Sequence, residues 1–353
     1  MNILLTSAGR RSYLVNYFRE ALVGQGKVHV ANNTQFSTAM ISGDYSVVTP
    51  SIYEKDYIPF LKRYCEKNDI DALVPLFDID LPKLSRNKTE FNEIGVKVIV
   101  SSEEVISICN DKWETFNFLR DSGFNTPTTF LTIEDAIEAV KLGKVCFPLI
   151  IKPRWGMGSM SVFEADNVEE LYVFYERTRK NIGSTYLSYE AQQHIKACIV
   201  IQEKLEGQEF GLDIINNLDG HYEITIVKEK KAMRSGETDF AETVRHEQLE
   251  KAGEELSRKL THIGNLDVDA FYVNGTPYIL EMNARFGGGY PFSHIAGANL
   301  PKAIVHWLKG QAIDVDLLKP EIGVIGFKDL TVISNKTANA YLHGGKYVRK
   351  HVY

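Results

Sequence analysis

The feature that most constrains this chain lies at residues 269–289, where two β-strand patterns flank Asn274-Gly275. The second pattern ends in Glu281, Asn283 and Arg285, which are spaced two residues apart. Side chains alternate between the faces of a strand, so these three groups project the same way if the strand runs that far. A carboxylate, a carboxamide and a guanidinium on one face suit a divalent metal that carries a polyphosphate.

The length of the turn decides which acidic side chains share that face. With a two-residue type I′ turn at Asn274-Gly275, Asp269 would face Leu280 and point away from Glu281. A three-residue loop instead gathers four oxygen-bearing side chains on one face, where a cation would offset the repulsion between the acids. These side chains are Asp267, Asp269, Glu281 and Asn283. Metal binding therefore predicts an odd-length loop; the alternative is that Asp267 and Asp269 are solvated strand residues.

Length and composition indicate a globular protein of ordinary make-up. The 353 residues are enough for two or three domains and a large core. Hydrophobic residues make up 44% and charged residues 24%, which is normal for a soluble protein. A net charge of −6 without a long basic block argues against nucleic acid or an anionic membrane as the main partner.

The cysteines and the N-terminus favour a cytoplasmic location. The four cysteines are scattered and form no CxxC pair, so we expect free thiols in a reducing compartment rather than zinc or redox chemistry. Residues 1–7 are typical of a first β-strand rather than of a signal peptide. No apolar run approaches the roughly 20 residues that span a bilayer.

The first hundred residues alternate between strand and helix patterns. Short buried strands are expected at residues 3–5, 28–31, 72–75 and 96–100. Such alternation predicts a parallel sheet covered by helices on both faces. Ligands bind beyond the carboxyl ends of such strands. The residues at these ends are Ser7, Gly9, Arg10 and Asp78; they either touch a substrate or serve as turn and capping residues.

A glycine-containing loop follows the hydrophobic strand at residues 147–153. Lys152 lies near the end of this strand, and Gly156, Gly158 and Ser159 come soon after it. Glycines let a backbone approach phosphate oxygens, and successive N–H groups form an anion-binding nest. The pattern predicts a phosphate site with Lys152 as its cation; the alternative is an ordinary hairpin with a surface lysine.

A second candidate segment is the acidic stretch at residues 201–210. A strand is expected to leave its sheet here, cross a short connector and return at Glu209. Backbone groups of the connector suit an adenine edge, and Glu209 suits ribose hydroxyls. The alternative is an acidic exposed turn.

Together these motifs are more specific than any one of them. Lys112, the Lys152 strand with its glycine loop, the connector before Glu209 and the E-x-N-x-R strand occur in that order. In order and spacing they resemble the ATP-grasp superfamily, and the resemblance covers roughly residues 1–310. The branch similar to the carbamoyl-phosphate synthase large subunit is nearest, and the opening N-I-L-L-T-S-A-G-R-R looks like the N-terminal domain of its small stand-alone members.

The resemblance implies an α/β fold that becomes α+β towards the C-terminus. A Rossmann-like parallel-sheet domain would precede two α+β subdomains that hold ATP between them. The implied divisions are 1–105 for the first domain, 106–197 for the subdomain with the glycine loop, 198–312 for the subdomain with the adenine connector and metal site, and 313–353 for a C-terminal extension.

The resemblance also implies roles for individual residues. The residues implied to bind ATP are Lys112, Lys152, Gly156, Gly158, Ser159, Glu203, Lys204, Leu205, Glu209 and Lys228. The residues implied to bind Mg²⁺, or Mn²⁺ as an alternative, are Asp269, Glu281 and Asn283. The residues implied in catalysis are Arg285, Lys152 and Arg234. Gln202 departs from the pattern, because many members carry a second glutamate there.

The resemblance to this family implies that the protein is an ATP-dependent ligase. Such enzymes phosphorylate a carboxylate and let an amine or another nucleophile displace phosphate from the acyl phosphate, which requires mainly positioning and charge neutralisation. The partners would be small-molecule carboxylate and amine substrates, and a homodimer is common in similar proteins. His294 is a candidate acceptor-site residue, with a buried or capping histidine as the alternative.

Two other functions remain open. The first is carbamoyl-phosphate-synthase-like activation of bicarbonate or carbamate. The length of the chain argues against it, because there is one grasp module where the synthase needs two. The second is a nucleotide-binding sensor or partner subunit without turnover, which would be expected to have lost its metal and phosphate residues. Those residues are all present here.

Overall fold

The N-terminal hundred residues form a five-stranded parallel sheet. The computed structural model describes residues 1–332 apart from 157, 159, 193–196, 235 and 331. The strands are β1 (Asn2–Thr6), β2 (Lys27–Asn32), β3 (Tyr45–Val48), β4 (Ala72–Pro75) and β5 (Lys97–Val98). They lie in the order β3-β2-β1-β4-β5 with every pairing parallel. This confirms the predicted parallel sheet, although the largely exposed β3 lacks the apolar run that would have predicted it.

Helices cover both faces of this sheet. They are α1 (Ser12–Ala21), α2 (Thr38–Ser42), α3 (Tyr57–Lys67), α4 (Leu81–Arg86) and α5 (Lys88–Glu93). Ile3 and Leu5 pack in one core with Leu14 of α1, whereas Leu4 packs in another with Leu61 of α3. The continuous apolar run of β1 is therefore explained by burial on both faces.

A four-stranded antiparallel sheet follows. Two helices, α6 (Glu103–Asn110) and α7 (Lys112–Asp121), lead into it. Its strands are β6 (Thr129–Phe130), β7 (Leu149–Pro153), β8 (Phe163–Ala165) and β9 (Ile199–Glu203), in the order β6-β9-β7-β8. Its helices are α8 (Ile133–Lys141), α9 (Val168–Gly183) and α10 (Leu187–Ala191).

The remaining described residues build a six-stranded antiparallel sheet. Its strands are β10 (Gln208–Asn216), β11 (Tyr222–Arg234), β12 (Glu237–Val244), β13 (Gly264–Val273), β14 (Thr276–Asn283) and β15 (Ile325–Phe327), in the order β14-β13-β10-β11-β12-β15. The accompanying helices are α11 (Glu247–Leu260), α12 (Tyr290–Ile295) and α13 (Leu300–Leu308), with a 3₁₀ turn at Val315–Leu317. Antiparallel sheets in this half agree with the predicted change to α+β. None of the helices among the described residues has the length and apolarity needed to cross a membrane.

The change from one sheet to the next differs in place from the predicted divisions. Because β9 pairs with β7, the four-stranded sheet continues to Glu203, and the six-stranded sheet begins at Gln208. The expected boundary at 197/198 therefore falls before β9. Segment 313–353, expected as a C-terminal extension, contributes β15 to the edge of the six-stranded sheet by pairing with β12. The apolar residues of this segment also predict edge strands at 324–327 and 330–333; β15 confirms the first, and the second lies partly outside the described residues.

The cores show which parts belong together. One buried cluster joins Leu4 and Leu61 of the N-terminal domain to Leu212 and Val268 of the six-stranded sheet. The four-stranded sheet has a cluster of its own, which includes Leu149. The two large sheets thus share apolar cores, whereas the four-stranded sheet packs mainly on its own helices.

Candidate active site

One wall of the candidate site is the end of β7 and the loop after it. Lys152 is 7% exposed and pairs with Val200 of β9 in the sheet. Burial lowers its pKa to about 8, although the carboxylates of Glu281 and Asp269 act in the opposite direction. Burial removes water from the Lys152 ammonium and so disfavours its charged form. A negatively charged phosphate beside it would stabilise that form.

Lys112 connects this wall to the opposite one. Asp111 caps α7 by accepting from the N–H groups of Trp113 and Glu114, which places Lys112 at the first position of the helix. The Lys112 Nζ donates to the Gly156 carbonyl at 2.7 Å and lies 3.5 Å from a carboxylate oxygen of Glu281. The lysine therefore fixes the glycine loop next to the acidic strand.

The glycine loop contains two positions whose backbone conformation favours glycine. Gly156 has a φ of 124° and Gly158 a φ of 65°, and both values are unfavourable for a residue with a side chain. A Cβ at Gly156 would also lie 3.0 Å from Leu187 of α10. Ser159, which was expected to take part in this loop, lies outside the described residues.

The connector between β9 and β10 runs along the same side. The Glu203 carboxylate accepts from the Thr128 N–H at 3.1 Å, and the Glu203 N–H donates to the Thr128 carbonyl at 2.9 Å. The Gln202 amide donates to the Thr129 hydroxyl at 2.9 Å. Both side chains therefore fix the connector to β6. The Lys204 ammonium is bound to Glu164 at 2.7 Å.

The opposite wall is one face of the six-stranded sheet, and its register differs from our expectation. Val273 pairs with Thr276, and Asn274 and Gly275 have φ values of 48° and 83°, so the turn has two residues. The predicted odd-length loop is wrong. A bulge after Asp269 supplies the extra residue instead, so that Asp269 still pairs with Glu281.

The bulge has a second consequence for the wall. The ladder passes from Ile279 to Glu281 and skips Leu280, and Leu280 and Glu281 both line the site. Asp267 pairs with Asn283 one step further along the strands. The shared face expected for the acidic residues is therefore present, but it is produced inside the strand rather than at the turn.

Lys230 is a site residue that the sequence reasoning did not single out. Its Nζ donates to Glu209 and to Asp269, at 2.6 Å in each case. Burial alone would lower the pKa of Lys230, but the charges of Asp269 and Glu209 outweigh it and raise the pKa. A signal for it was available, because Lys230 lies two residues beyond Lys228 on one strand and so shares its face.

Lys228 itself is directed into a buried polar network. Its ammonium pairs with Asp213, whose carboxylate also accepts from the Ser293 hydroxyl and, at 3.1 Å, from the Asn265 amide. Lys228 is 2% exposed and packs beside Gly289. Its expected contact with ATP stays a prediction.

Arg285 is held in a buried ion-pair network. Its Nε donates to Asp78 at 3.1 Å and its Nη1 to Asp267 at 2.7 Å. Burial alone would lower the pKa of Arg285, but the two carboxylates outweigh it and raise the pKa. The chain passes close to this network at Gly287, where a Cβ would overlap Asp267. Arg285 lies beyond the end of β14, so the strand does not run as far as the E-x-N-x-R pattern allowed.

Three other residues from the sequence analysis are not among the side chains that line the cleft. Arg234 is about half exposed, and its Nε donates to Asp239 at 3.0 Å across the β11–β12 hairpin. The Ser7 hydroxyl donates to Asp80 at 2.8 Å and so serves the N-terminal domain. His294 stacks on Tyr17, and burial lowers its pKa to about 4.

The two walls enclose a cleft of about 400 Å³, a size typical of small-molecule sites. Ten predicted site residues line it, namely Lys112, Lys152, Gly156, Gly158, Glu203, Lys204, Leu205, Glu209, Asp269 and Glu281. Apolar side chains such as Ile150, Phe271 and Leu280 line the cleft between the charged groups. The lining therefore combines apolar surface with charged groups of both signs.

The donor set of the acidic wall can be compared with the needs of a metal ion. Within the described part of the chain, no three His, Cys, Asp or Glu side chains lie close enough to bind a metal on their own. Asp269, Glu281 and Asn283 offer two carboxylates and an amide oxygen. Mg²⁺ commonly takes one or two carboxylates and completes its shell with water and substrate phosphates. These residues fit Mg²⁺ that binds together with a nucleotide.

Family models match this chain in two places. A model described as an ATP-grasp domain matches residues 109–289, more than half of the chain. The chain belongs to the ATP-grasp family. A model described as a PylC-like N-terminal domain matches residues 3–99, which is the parallel sheet that precedes the ATP-grasp domain.

Individual proteins agree with the family assignment. The carbamoyl phosphate synthase large chain of Thermoanaerobacter pseudethanolicus is 25% identical over 325 residues, which are 83% of this chain and 29% of that protein. The chain thus spans about three tenths of the length of this relative.

Solved structures share the fold at low identity. The biotin carboxylase domain dimer of Hydrogenobacter thermophilus 2-oxoglutarate carboxylase, in complex with MgADP, ADP and bicarbonate, has a TM-score of 0.71 at 14% identity, covering 92% of this chain and 73% of that one. The L-amino acid ligase of Bacillus licheniformis has a TM-score of 0.64 at 19% identity, covering 90% and 77%. These values confirm the predicted ATP-grasp fold.

Proposed function

We propose that this protein is an ATP- and Mg²⁺-dependent ligase that joins a small-molecule carboxylate to an amine. The observation that carries the proposal is the cleft between an electropositive wall, with Lys152 and the glycine loop, and an acidic wall, with Asp269 and Glu281. The ATP-grasp membership supports nucleotide binding in this cleft. The L-amino acid ligase among the fold neighbours supports a carboxylate–amine reaction.

The nucleotide would lie along the cleft. We assign its adenine to the connector at Glu203, Lys204 and Leu205, between apolar side chains, and its ribose to Glu209. Lys112 and Lys152 would neutralise the phosphates, and Lys230 would keep Glu209 and Asp269 in place for them.

Asp269, Glu281 and Asn283 would bind Mg²⁺, with Mn²⁺ as an alternative because both are hard cations that prefer oxygen ligands. When bound, the metal supplies charge neutralisation between the phosphate oxygens. Arg285, held beside this strand by Asp78 and Asp267, would stabilise the transferring phosphoryl group.

The proposed reaction has two steps. A carboxylate oxygen attacks the γ-phosphorus of ATP, the bond to ADP breaks, and an acyl phosphate forms. The amine nitrogen then attacks the carbonyl carbon, forms the C–N bond, and displaces phosphate with loss of a proton. Met233 and Gly236 line the cleft, and Arg234 lies between them in the chain. We propose that Arg234 binds the incoming carboxylate at the rim of the cleft.

The function can be tested by phosphate release from ATP and Mg²⁺ across a panel of carboxylates, each with and without amine acceptors. Trapping with hydroxylamine detects the acyl phosphate directly, because the nucleophile converts it into a stable hydroxamate. Glu281→Ala provides the background. Release that no substrate pair raises above this background would overturn the ligase proposal.

The same panel separates the alternatives. ATP hydrolysis that depends on bicarbonate alone would favour carbamoyl-phosphate-synthase-like activation. This is the function named for the Thermoanaerobacter pseudethanolicus relative, of whose length the match covers 29%. Nucleotide-dependent thermal stabilisation without any turnover would favour a sensor. A homodimer, the state named for the Hydrogenobacter neighbour, belongs to the proposal and can be checked by sedimentation equilibrium.

A further inference from the structure

A cluster of charged side chains lies beside the cleft, where the turn after β1 meets the hairpin between β11 and β12. Gly236 of this hairpin lines the cleft. The carboxylate of the next residue, Glu237, lies 4.0 Å from the Arg10 guanidinium and 3.2 Å from the Lys328 ammonium. Gly288 adjoins the same group, because a Cβ there would lie 3.8 Å from the Lys328 Nζ. Four distant parts of the chain therefore meet at this rim of the cleft.

Arg11, the next residue in the turn after β1, is only partly exposed. Its Nη1 donates to the Phe286 carbonyl at 2.6 Å, and the Nη1 of Arg285 donates to the same oxygen at 3.3 Å. The two guanidinium groups are therefore neighbours. Arg285 is paired with the carboxylates of Asp78 and Asp267. Arg11, in contrast, forms no ion pair with the described residues, and the Phe286 carbonyl is its hydrogen-bond partner among them.

The Arg11 guanidinium has donors to spare for a ligand. A guanidinium carries five N–H donors in a planar fork. The Nε and Nη2 atoms of Arg11 have no partner in the described part of the chain and are accessible to water. Burial and, next, the charge of Arg285 lower the pKa of Arg11, and the carboxylates of Asp78 and Asp267 do not outweigh them. An anion beside Arg11 would supply the missing counter-charge.

The neighbouring charges favour an anion as well. Arg10, Arg11 and Lys328 contribute three positive charges, and among the described residues Glu237 is the carboxylate that lies near two of them. The Arg10 side chain is 88% exposed, and its distance of 4.0 Å from Glu237 is too long for a hydrogen bond. Arg10 is therefore free to turn towards a ligand that Arg11 binds.

We propose that Arg11, with Arg10 and Lys328 beside it, binds a second anionic group of the carboxylate substrate, so that the substrate is a dianion. The inference rests on the proposed function and adds the class of acid to it. The carboxylate that accepts the phosphoryl group has to lie in the cleft beside the metal strand. Arg11 is not among the residues that line this cleft, so the anion that it binds is a different group of the same molecule. A carboxylate and a phosphate both suit the fork of a guanidinium.

Matched acids test the assignment in the full-length protein. The hydroxamate assay compares butyrate with succinate and 3-phosphonopropionate, and valerate with glutarate, so that each comparison changes mainly the second anionic group. Short acids are chosen because the guanidinium groups of Arg11 and Arg285 are neighbours. We expect a KM at least about tenfold lower for the dianions, because they gain charge-assisted hydrogen bonds. The lower KM of succinate or 3-phosphonopropionate identifies the second group as a carboxylate or a phosphate.

Arg11→Gln removes the charge and keeps a polar N–H donor. We expect it to raise the KM for the preferred dianion about tenfold or more and to leave the KM for ATP unchanged. Arg19→Gln, on α1 and 3.7 Å from Asp44, is the control. If Arg11→Gln does not fold, Arg10→Gln decides, because the exposed Arg10 side chain is not needed for folding; its KM for the dianion should rise about threefold.

The same assay separates the failure of this inference from that of the proposed function. If wild-type protein forms hydroxamate from monocarboxylates and dianions with equal KM, the ligase stands and the second anion site is overturned. Wild-type KM values for the dianion in both Arg11→Gln and Arg10→Gln would overturn it too.

Direct binding decides the case in which no acid of the panel yields hydroxamate. Succinate, 3-phosphonopropionate and butyrate are each titrated by saturation-transfer NMR into protein saturated with MgADP. We expect the dianions to bind in the millimolar range and more tightly than butyrate, and Arg11→Gln to weaken them about tenfold. Dianions that bind no more tightly than butyrate, or equally to Arg11→Gln and wild-type protein, would overturn the inference.

Discussion

The two walls of the cleft are built in different ways. On the acidic wall, Asp269 and Glu209 share Lys230, and Asp267 and Asp78 share Arg285, so acids and bases are paired before any ligand arrives. The back of this wall belongs to a core shared with the N-terminal domain. On the other wall, Lys152 is kept in a buried position that lowers its pKa, and the sheet behind it packs on a core of its own.

This difference predicts that one wall mainly supports the fold and the other mainly binds the ligand. The acidic wall is a preassembled network in which removal of one partner would leave the other charge buried and uncompensated. The Lys152 wall bears an unfavourable charge that a polyphosphate would relieve. Substitutions on the first wall should therefore affect folding, and substitutions on the second should affect binding.

The largest expected effect is on the acidic wall. Arg285→Ala leaves Asp78 and Asp267 buried without their cation, so we expect the free energy of unfolding to fall by about 3–5 kcal/mol. Arg234→Ala is the matched control, since its exposed pair with Asp239 should contribute no more than about 0.5 kcal/mol. Urea denaturation followed by fluorescence measures both. Similar losses for the two arginines would remove the contrast between buried and exposed pairs.

Lys152→Met is the corresponding change on the other wall. Methionine keeps the apolar stem and removes the buried charge, so we expect unchanged or slightly higher stability. Nucleotide affinity should fall roughly 100-fold, because a charge-assisted contact to phosphate is lost. Calorimetric titration with ADP and thermal unfolding give the two quantities. A loss of stability comparable to that of Arg285→Ala would show that both walls are structural.

The pH dependence of ADP binding tests the same lysine without mutation. Phosphates favour protonated Lys152, whose pKa is about 8 instead of the ordinary 10.5, so affinity should fall as pH rises through 8. The fall should approach about tenfold per pH unit above that point. In stability the sign is opposite: Lys152 destabilises the fold at neutral pH, and this effect disappears as pH rises from 8 to 10.5. Lys152→Arg should bind ADP equally across this range, since arginine stays charged. A flat wild-type profile in metal-free buffer would contradict the assignment.

The smallest expected effect concerns the bulge. Leu280→Ala removes an apolar contact from the cleft but leaves the backbone in place, so we expect nucleotide affinity to fall about three- to tenfold. Leu142→Ala, which lies on the exposed end of α8, is the control. Unchanged affinity would mean that the bulge serves only to bring Asp269 opposite Glu281.

The register of the hairpin could be predicted only in part from the local sequence. The metal hypothesis required Asp269 and Glu281 to share a face, and they pair across the hairpin, although regular alternation from a two-residue turn would have separated them. It placed the extra residue in the turn, yet Asn274-Gly275 favours a two-residue type I′ turn, and that preference prevails. A bulge depends on the neighbouring strand and cleft, so nothing in the local pattern located it at Leu280.

Long-range contacts account for the other residues that the sequence did not place. Asp78 and Arg285 are 207 residues apart, and their pairing arises only because the N-terminal sheet packs against the loop after β14. Lys228 and Lys230 share one face of β11, and the local pattern does not distinguish them. The partners do: Asp213 holds the first, and Glu209 with Asp269 holds the second.

The sequence by itself determined the family and the order along the chain of most of the residues that were found to line the cleft. Residue type and spacing suffice for this, because they fix which groups can share a strand face or a glycine loop. Only the tertiary structure decided which carboxylates Lys228 and Lys230 pair with, where the register shifts, and that Asp78 and Asn110 meet beside Glu281. These outcomes depend on contacts between segments far apart in the chain, whose free energy no local pattern contains.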